Sequence, residues 1–237
     1  MSNRETILIT GAGQRVGKYL AEQFLALEYR VIITYRTDRA DVKLLQEKGA
    51  IALQADFSSQ QGVMDFITSV RKNTDSLRAI IHNASTWSKD KTVIDNPLHF
   101  NELVNVHMFA PYWINYHCRD LLEVGDGLRD IISLTDFTIR KGSDKHIAYL
   151  ATKSALESMT LSFAKSFAPQ IKVNAIAPAL IMFNEGDDDA YKHDRLKRSA
   201  LQIEPGAKVV FEAVSYLMHS SYTTGVILPL DGGRHLV

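Results

Sequence analysis

The chain has 237 residues, 46% of them hydrophobic and 23% charged, and its 27 basic residues balance 27 acidic ones. These values suit a soluble globular protein with one large core, and the balanced charge gives no reason to expect a nucleic-acid or anionic-membrane partner. The single cysteine, Cys118, allows neither an internal disulfide nor a zinc-finger framework, and the first apolar segment is too short for a signal peptide or a membrane span, so we expect a cytoplasmic protein.

Short β-branched segments alternate with longer amphipathic segments along the chain. The strand candidates are nearly continuous in apolar residues, as expected for strands covered on both faces. They are Thr6–Thr10, Arg30–Tyr35, Ile51–Gln54, Leu77–His82, Asp130–Leu134, Ile171–Ala175 and Gly225–Leu228. The helix candidates are Arg15–Leu27, Asp41–Lys48, Gln61–Lys72, Asn101–Leu122, Ile147–Phe167 and Ala207–Ser220. This alternation predicts an α/β fold with a doubly wound parallel sheet between two helical layers, in a single domain over residues 1–237.

One interval breaks this rhythm: residues 179–204 follow the sixth strand candidate and are longer than an ordinary connection. Connections of this length in compact domains usually act as lids or substrate loops. The interval carries an acidic run, Asn-Glu-Gly-Asp-Asp-Asp at 184–189, which is equally typical of a solvated loop and the start of a helix. We predict a substrate loop here, with the plain solvated loop as the alternative.

A glycine-rich turn joins the first strand candidate to the first helix, with the sequence Thr-Gly-Ala-Gly-Gln-Arg-Val-Gly over residues 10–17. Glycine lets the backbone turn sharply and approach a pyrophosphate, and the helix N-terminus offers free N–H groups and the positive end of its dipole. A tight turn without a ligand could use the same glycines. Because this is the first strand-to-helix connection of an alternating chain, it favours a dinucleotide site.

The end of the second strand candidate is where the adenosine ribose of a dinucleotide lies. An NAD site places a carboxylate there for the 2′-hydroxyl, whereas an NADP site places a cation for the 2′-phosphate. Residues 34–37 read Thr-Tyr-Arg-Thr, with Arg36 nineteen residues beyond Gly17. We therefore predict NADPH as the cofactor, with a plain surface arginine as the alternative because Asp38 is close.

Tyr149 and Lys153 stand four residues apart in a helix candidate and so share one helix face. A free tyrosine has a pKa of about 10, too high for easy proton exchange at neutral pH. A lysine charge about 4 Å away is worth at most roughly 4 kcal/mol, enough to lower that pKa by more than a unit. Helices produce such pairs by chance, but this one follows the fifth strand candidate of a chain that already carries a nucleotide turn.

With these features together, the chain resembles the short-chain dehydrogenase/reductase family over essentially its whole length. The segments that carry the resemblance are Thr10-Gly11…Gly17, Asp56, Asn83-Ala84, Tyr149…Lys153, Val173-Asn174-Ala175-Ile176-Ala177-Pro178 and Asp231-Gly232-Gly233. The family implies a Rossmann-type seven-stranded sheet, a nicotinamide cofactor and a homotetramer built partly on the two long helices. By this resemblance the expected cofactor-binding residues are Gly11, Arg15, Val16, Gly17, Arg36, Asp56, Phe57, Asn83, Ala84, Ser85, Tyr149, Lys153 and Pro178.

Three departures from the common family pattern point to one branch. Arg15 stands where the turn usually has a second glycine or alanine, and Ser85 replaces the glycine after Asn83-Ala84. The catalytic serine expected thirteen residues before Tyr149 is Asp136. These changes occur together in the pteridine reductase branch, which the chain resembles. Segments 142–146, 183–185 and 230–236 further resemble the bacterial dihydromonapterin reductases within that branch.

The chemistry of a carboxylate at position 136 agrees with that branch. In a carbonyl reductase the serine hydroxyl donates to an oxygen that gains negative charge, which a carboxylate would repel. Asp136 instead suits a substrate with N–H donors, such as the 2-amino-4-oxo-pyrimidine ring of a pterin. Reduction of an imine needs a proton on nitrogen, so an Asp–Tyr–Lys relay is reasonable. The alternative for Asp136 is a cap on a loop or helix after the fifth strand.

Trp87 follows Ser85 by two residues and could stack a flat heterocycle against the nicotinamide; a lid or core tryptophan is the alternative. The expected substrate-binding residues are Arg15, Ser85, Trp87, Asp136 and Tyr149. His107 stands where the family's helix-four asparagine is usual, four residues before Pro111, and could hold the same water or merely be packed. No role is assigned to it, and the other histidines show no metal-ligand spacing, so no metal site is expected.

The sequence thus predicts an NADPH-dependent reductase of 7,8-dihydropterins, with Tyr149, Lys153 and Asp136 as catalytic residues. Dihydromonapterin is the expected substrate, and dihydrofolate, with its longer tail, a weaker one. Two alternatives remain: a general NADPH-dependent carbonyl or oxoacyl reductase, and a nucleotide-sensing protein without turnover. The intact tyrosine–lysine pair argues against the second.

Overall fold

The computed structural model describes residues 5–237, and within them a seven-stranded parallel sheet has the order β3-β2-β1-β4-β5-β6-β7. The strands are β1 (Thr6–Ile9), β2 (Arg30–Tyr35), β3 (Ile51–Gln54), β4 (Ala79–His82), β5 (Arg129–Leu134), β6 (Ile171–Pro178) and β7 (Ile227–Leu230). The order reverses between β1 and β4, which is the switch point where doubly wound folds bind ligands. The predicted Rossmann-type α/β fold with three layers is confirmed.

Helices cover both faces of this sheet. They are α1 (Arg15–Ala26), α2 (Ala40–Glu47), α3 (Gln60–Asn73), α4 (Asp90–Asp95), α5 (Leu98–Val104), α6 (Ala110–His117), α7 (Arg119–Leu122), α8 (Ile147–Phe167), α9 (Asp189–Leu196) and α10 (Lys208–His219). Of the helices within residues 5–237, none has the length and apolar character that a membrane crossing requires.

Alternate residues of each central strand feed two separate cores. On β1, Ile7 and Ile9 pack in the core that α1 and α10 cover, whereas Leu8 packs in the core that α3, α6 and α8 cover. Successive side chains of a strand point to opposite faces, so a strand buried on both sides must be apolar throughout. This explains why the strand candidates read as continuous apolar runs.

The predicted helix Asn101–Leu122 is wrong as one continuous element. The structure begins it earlier, at Leu98, and divides it into α5, a π turn over Asn105–Phe109, α6 and α7. Pro111 explains the π turn: a proline lacks the N–H and its ring clashes with the carbonyl four residues back, so the backbone widens before it. The widened turn is visible in the bond from the Ala110 N–H to the carbonyl of Asn105.

The observed bounds of several other elements differ from the predicted bounds by a few residues. β6 runs to Pro178 rather than Ala175 because β7 pairs with its last residues, and β7 itself lies at Ile227–Leu230 rather than Gly225–Leu228. β4 starts at Ala79 rather than Leu77. The short helix α4 was not predicted, and the interval 179–204 contains α9, whose start is capped by the acidic run through Asp188.

A buried ion cluster ties β4, β5 and β6 together at their N-terminal ends. Asp130 is 0% exposed and pairs with Arg78 and with Lys172, whose Nζ lies 3.0 Å from Oδ1. We expect Asp130→Ala to lower the free energy of unfolding by about 3–5 kcal/mol, because it removes the carboxylate that pairs with both the buried Lys172 and the half-buried Arg78. Asp120, 61% exposed and paired with Arg71, is the matched control: Asp120→Ala should cost under about 1 kcal/mol. Urea unfolding measures both, and equal losses would contradict this view of the cluster.

Candidate active site

A cleft of about 510 Å³ opens at the carboxyl edge of the sheet, over the switch point. Many of the residues expected to bind cofactor or substrate line it, namely Gly11, Arg15, Val16, Gly17, Arg36, Asp56, Phe57, Asn83, Ala84, Ser85 and Trp87. Pro178 does not line the cleft but ends β6 at the same edge of the sheet. Tyr149, Lys153 and Asp136 do not line the cleft either: Tyr149 and Asp136 share a hydrogen bond, and Lys153 lies beside the tyrosine ring.

The turn between β1 and α1 needs its glycines for steric reasons. Gly11 has a φ of +66°, and a Cβ there would lie 2.6 Å from Cα of Ala84. A Cβ on Gly17 would lie 2.5 Å from Nδ2 of Asn83, whose amide braces the turn by donating to the Gly11 carbonyl at 2.8 Å. No side chain caps the N-terminus of α1, so its first N–H groups are available to an anion in the cleft.

The backbone of Arg15 has a φ of +53°, which is unusual for a residue other than glycine. Its guanidinium donates to the Met182 carbonyl at 3.0 Å and to Oδ1 of Asn184 at 2.8 Å. We expected this side chain near the cofactor phosphates and the pterin. In the structure Arg15 lines the cleft, but its guanidinium is bonded to the interval 179–204 and so holds that interval at the N-terminus of α1.

Arg36 follows β2 and lines the cleft together with Thr37 and Arg39. It is 60% exposed, and its Nη1 lies 3.0 Å from Oε1 of Glu102 on α5. The glutamate comes from a distant element, so sequence reasoning about the end of β2 could not find it. Arg36 and Arg39 thus line the same cleft as the uncapped N-terminus of α1. This arrangement fits a dinucleotide that carries an extra phosphate on its ribose.

Asp136 uses its two carboxylate oxygens for two different purposes. Oδ1 accepts the Thr138 N–H at 2.7 Å and so caps the short 3₁₀ turn Phe137–Arg140. Oδ2 accepts the hydroxyl of Tyr149 at 3.1 Å. The capping role considered as an alternative and the contact with the tyrosine are therefore both present in the structure.

The electrostatics of Tyr149 differ from the expectation that Lys153 lowers its pKa. Burial, and then the charge of Asp136, raise the pKa of Tyr149 well above its ordinary value. Lys153 donates to the Leu134 carbonyl at 2.8 Å, and its Nζ lies 5.9 Å from the centre of the tyrosine ring. Burial lowers the pKa of Lys153 to about 8. Tyr149 is therefore held as a neutral phenol that donates a hydrogen bond to Asp136.

Trp87 is 56% exposed at the mouth of the cleft, so it is not a core tryptophan. Its ring lies 4.8 Å from that of His146, which precedes α8, with 38° between the planes. One face of the indole is therefore supported from the side of the helix that carries Tyr149.

The structure also places His107 in the site. Its ring lies between Ser85 at the cleft and Thr152 on α8, with hydrogen-bond distances of 2.9 Å to each hydroxyl. The sequence marked this position only as a departure from the family pattern. Thr152 carried no signal, because its contact depends on how α8 packs against the π turn.

A family model of the short-chain type, described as Enoyl-(Acyl carrier protein) reductase, matches residues 11–235. The chain belongs to the short-chain dehydrogenase/reductase family. This membership accounts for the glycine turn, the Tyr149–Lys153 pair and the sheet order together.

Relatives within the short-chain dehydrogenase/reductase family align with this chain over nearly its whole length. The chain is 49% identical over 231 residues to a dihydromonapterin reductase of Klebsiella pneumoniae subsp. pneumoniae, covering 97% of this chain and 96% of the relative. It is 46% identical, with the same coverage, to a dihydromonapterin reductase of Enterobacter sp. (strain 638). A crystal structure of FolM alternative dihydrofolate reductase 1 from Brucella suis in complex with NADP has a TM-score of 0.85 at 25% identity, covering 98% of this chain and 96% of that one.

Proposed function

We propose that the protein is an NADPH-dependent dihydropterin reductase that converts 7,8-dihydromonapterin to tetrahydromonapterin. The observation that carries this proposal is the bond of 3.1 Å between the Tyr149 hydroxyl and the Asp136 carboxylate, which puts an acceptor where a carbonyl reductase needs a hydroxyl donor. The dihydromonapterin reductases that share 46–49% of their residues with the chain support it.

When bound, NADPH supplies the hydride that forms a new C–H bond at C6 of the dihydropterin. The C6–N5 double bond becomes a single bond, so N5 must gain a proton. Tyr149 and Asp136 hold a proton at this place, and solvent replaces it after transfer. Lys153 is positioned by the Leu134 carbonyl to bind the nicotinamide ribose.

The remaining cleft residues position the two ligands. Gly11, Val16, Gly17, Asp56, Phe57, Asn83, Ala84 and Pro178 bind the cofactor, and Ser85 and Arg15 contact both cofactor and substrate. Trp87 stacks on the pterin ring, which gains about 0.5–1.5 kcal/mol beyond burial. The interval 179–204, anchored by Arg15, acts as the substrate loop. Dihydrofolate is the weaker substrate because its long tail needs more room than the side chain of dihydromonapterin.

Arg36 sets the preference for NADPH over NADH. We expect Arg36→Ala to lower the ratio of kcat/KM for NADPH to kcat/KM for NADH by about 10- to 100-fold, because one charged hydrogen bond to the 2′-phosphate is lost. Arg119→Ala, which removes an arginine paired with Glu123 on the surface, should leave the ratio unchanged. A wild-type protein that prefers NADH would overturn the cofactor assignment.

Activity should fall at alkaline pH because Lys153 loses its charge there. Burial lowers its pKa to about 8, so the free enzyme holds the cation below that pH and releases the proton above it. We expect kcat/KM for NADPH to decline above about pH 8 with one ionisation. In Lys153→Arg the remaining activity should lack this decline, since a guanidinium stays protonated. A decline that is unchanged in the variant would assign the ionisation to another group.

Steady-state NADPH oxidation tests the proposed function. Dihydromonapterin, dihydrobiopterin, dihydrofolate and a set of simple ketones are compared at equal concentrations. We expect the highest kcat/KM for dihydromonapterin and a lower one for dihydrofolate. Preference for the ketones would establish the carbonyl reductase instead, and no turnover of any compound would establish a nucleotide-sensing protein.

Assembly, domain organisation and location remain predictions. We propose a cytoplasmic homotetramer of single-domain chains, as the family resemblance implies. Exposed aromatic side chains on α6, Tyr112 and Tyr116, lie beside α8 and support an interface on these helices. Light scattering measures the mass, and a monomer at micromolar concentration would contradict the tetramer.

A further inference from the structure

His107 lies at the centre of a closed set of hydrogen bonds beside the proposed pterin site. It is 1% exposed and is presented by the π turn Asn105–Phe109. Its Nε2 lies 2.9 Å from Oγ of Ser85 and 3.3 Å from the backbone nitrogen of Thr86. Its Nδ1 lies 2.9 Å from Oγ1 of Thr152. Both ring nitrogens are thus occupied.

The partners of His107 determine which nitrogen carries the proton. A backbone N–H can only donate, so Nε2, which faces the N–H of Thr86, is the unprotonated nitrogen. The proton is then on Nδ1 and is donated to Thr152, whose own hydroxyl donates to the Tyr149 carbonyl at 2.8 Å. Every donor in this set has one acceptor, which leaves a single consistent tautomer.

The imidazole is also neutral. Burial, and then the positive charge of Lys153, hold the pKa of His107 well below its ordinary value. The other titratable side chain against the ring is Tyr149, with 5.5 Å between ring centres, and it is itself a neutral phenol. A group that stays neutral with a fixed tautomer cannot serve as a titrating proton relay at neutral pH.

The fixed tautomer dictates the orientation of the Ser85 hydroxyl. Nε2 of His107 can only accept, so Ser85 donates to it at 2.9 Å; the alternative contact, to the Thr86 carbonyl, is longer at 3.4 Å. Tyr149 also neighbours this hydroxyl, but a phenol oxygen that keeps its proton is a weaker acceptor than an imidazole nitrogen. A hydroxyl whose hydrogen is already engaged in a donated hydrogen bond can offer only its lone pairs to other groups. Ser85, which lines the cleft, therefore faces it as an acceptor.

We propose that His107 is a positioning residue that fixes Ser85 as a hydrogen-bond acceptor and thereby selects substrates with N–H donors. Ser85 Oγ at the cleft and the Asp136 carboxylate bonded to Tyr149 would then offer two acceptors to the N–H groups of an aminopyrimidinone ring. A substrate that placed a carbonyl oxygen against Ser85 would set acceptor against acceptor, which costs affinity. This inference rests on the proposed function and adds a source of its specificity.

Nuclear magnetic resonance tests the tautomer without any substrate. In full-length protein labelled with ¹⁵N at histidine, with and without NADP⁺, the His107 signals are assigned by their loss in His107→Gln. We expect a protonated Nδ1 and an unprotonated Nε2 from about pH 5.5 to about pH 8.5. An Nε2–H tautomer, or a ring that titrates in this range, would overturn the proposal whether or not pterins are turned over.

Kinetics test the selectivity. We expect His107→Phe to raise KM for dihydromonapterin and to lower its kcat/KM relative to that of a ketone by about three- to tenfold, the effect of one neutral hydrogen bond. His107→Gln, whose amide can both accept and donate, should recover part of the loss. In a Ser85→Ala background, His107→Phe should have no further effect on this ratio, because it acts through Ser85.

Two results would contradict the positioning role. Additive effects of the His107 and Ser85 variants would show that they act separately, and a fall in kcat together with loss of a limb of the pH profile would show a proton relay. His82 is the matched control, a buried neutral imidazole held by Asn115 at 2.8 Å; His82→Gln should leave the substrate ratio unchanged. If the wild type prefers ketones, the proposed function fails, while the tautomer measurement still stands by itself.

Discussion

Tyr149→Phe should lower kcat for dihydromonapterin by about 100-fold or more, with little change in the KM for NADPH. The substitution removes only the hydroxyl that donates to Asp136 at 3.1 Å, so the ring still packs beside His107. Without the phenol, the proton for N5 has to come from water that is not positioned. Single-turnover absorbance of NADPH separates this chemical step from product release.

The control for this variant is Tyr222→Phe, which removes a hydroxyl from a fully exposed side chain and should leave kcat unchanged. The free energy of unfolding of Tyr149→Phe should not fall much, since the lost bond is to a partly exposed carboxylate. A Tyr149→Phe enzyme with more than a third of the wild-type kcat would show that the proton takes another route.

Asp136→Ser should reduce kcat/KM for dihydromonapterin by about 10- to 100-fold and leave the dissociation constant of NADP⁺ nearly unchanged. The variant removes a charged acceptor for substrate N–H groups, worth about 1.5–3 kcal/mol. It also restores the hydroxyl donor that a carbonyl substrate needs, so activity on ketones should rise. Serine is as good a capping residue as aspartate, and the turn that begins at Phe137 should keep its cap.

Asp136→Asn separates charge from hydrogen bonding at the same position. Asparagine can keep its one oxygen on the Thr138 N–H, and it then presents its amide NH2, a donor, to Tyr149. We expect its activity to lie between those of the wild type and the serine variant. If kcat/KM for dihydromonapterin were unchanged in Asp136→Ser, the carboxylate would have no part in the reaction and only its capping role would remain.

The sheet could be predicted from the sequence because its strands are buried on both faces. Runs such as Ile7-Leu8-Ile9 place residues in two cores at once, and their short length and β-branched residues favour a strand over a buried helix. The division of the helix after β4 was missed although Pro111 signalled it, since a proline inside a helical pattern ends or distorts the helix at the residues before it.

The site could be predicted only in part. The spacing between Asp136 and Tyr149, together with the family resemblance, led to a pair that the structure places in hydrogen-bond contact. The direction of the tyrosine pKa was wrong, because burial is its largest cause and burial depends on packing that a sequence does not display. The partners of His107 and the pairing of Arg36 with Glu102 also join elements far apart in the chain.

The most direct test is a crystal structure of the ternary complex with NADP⁺ and a dihydropterin. We expect an Asp136 oxygen within about 3 Å of a pterin N–H group, with the Tyr149 hydroxyl beside N5 and Trp87 over the ring. A complex in which the carboxylate of Asp136 turns away from the heterocycle and only caps its own turn would contradict the account and leave a general short-chain reductase.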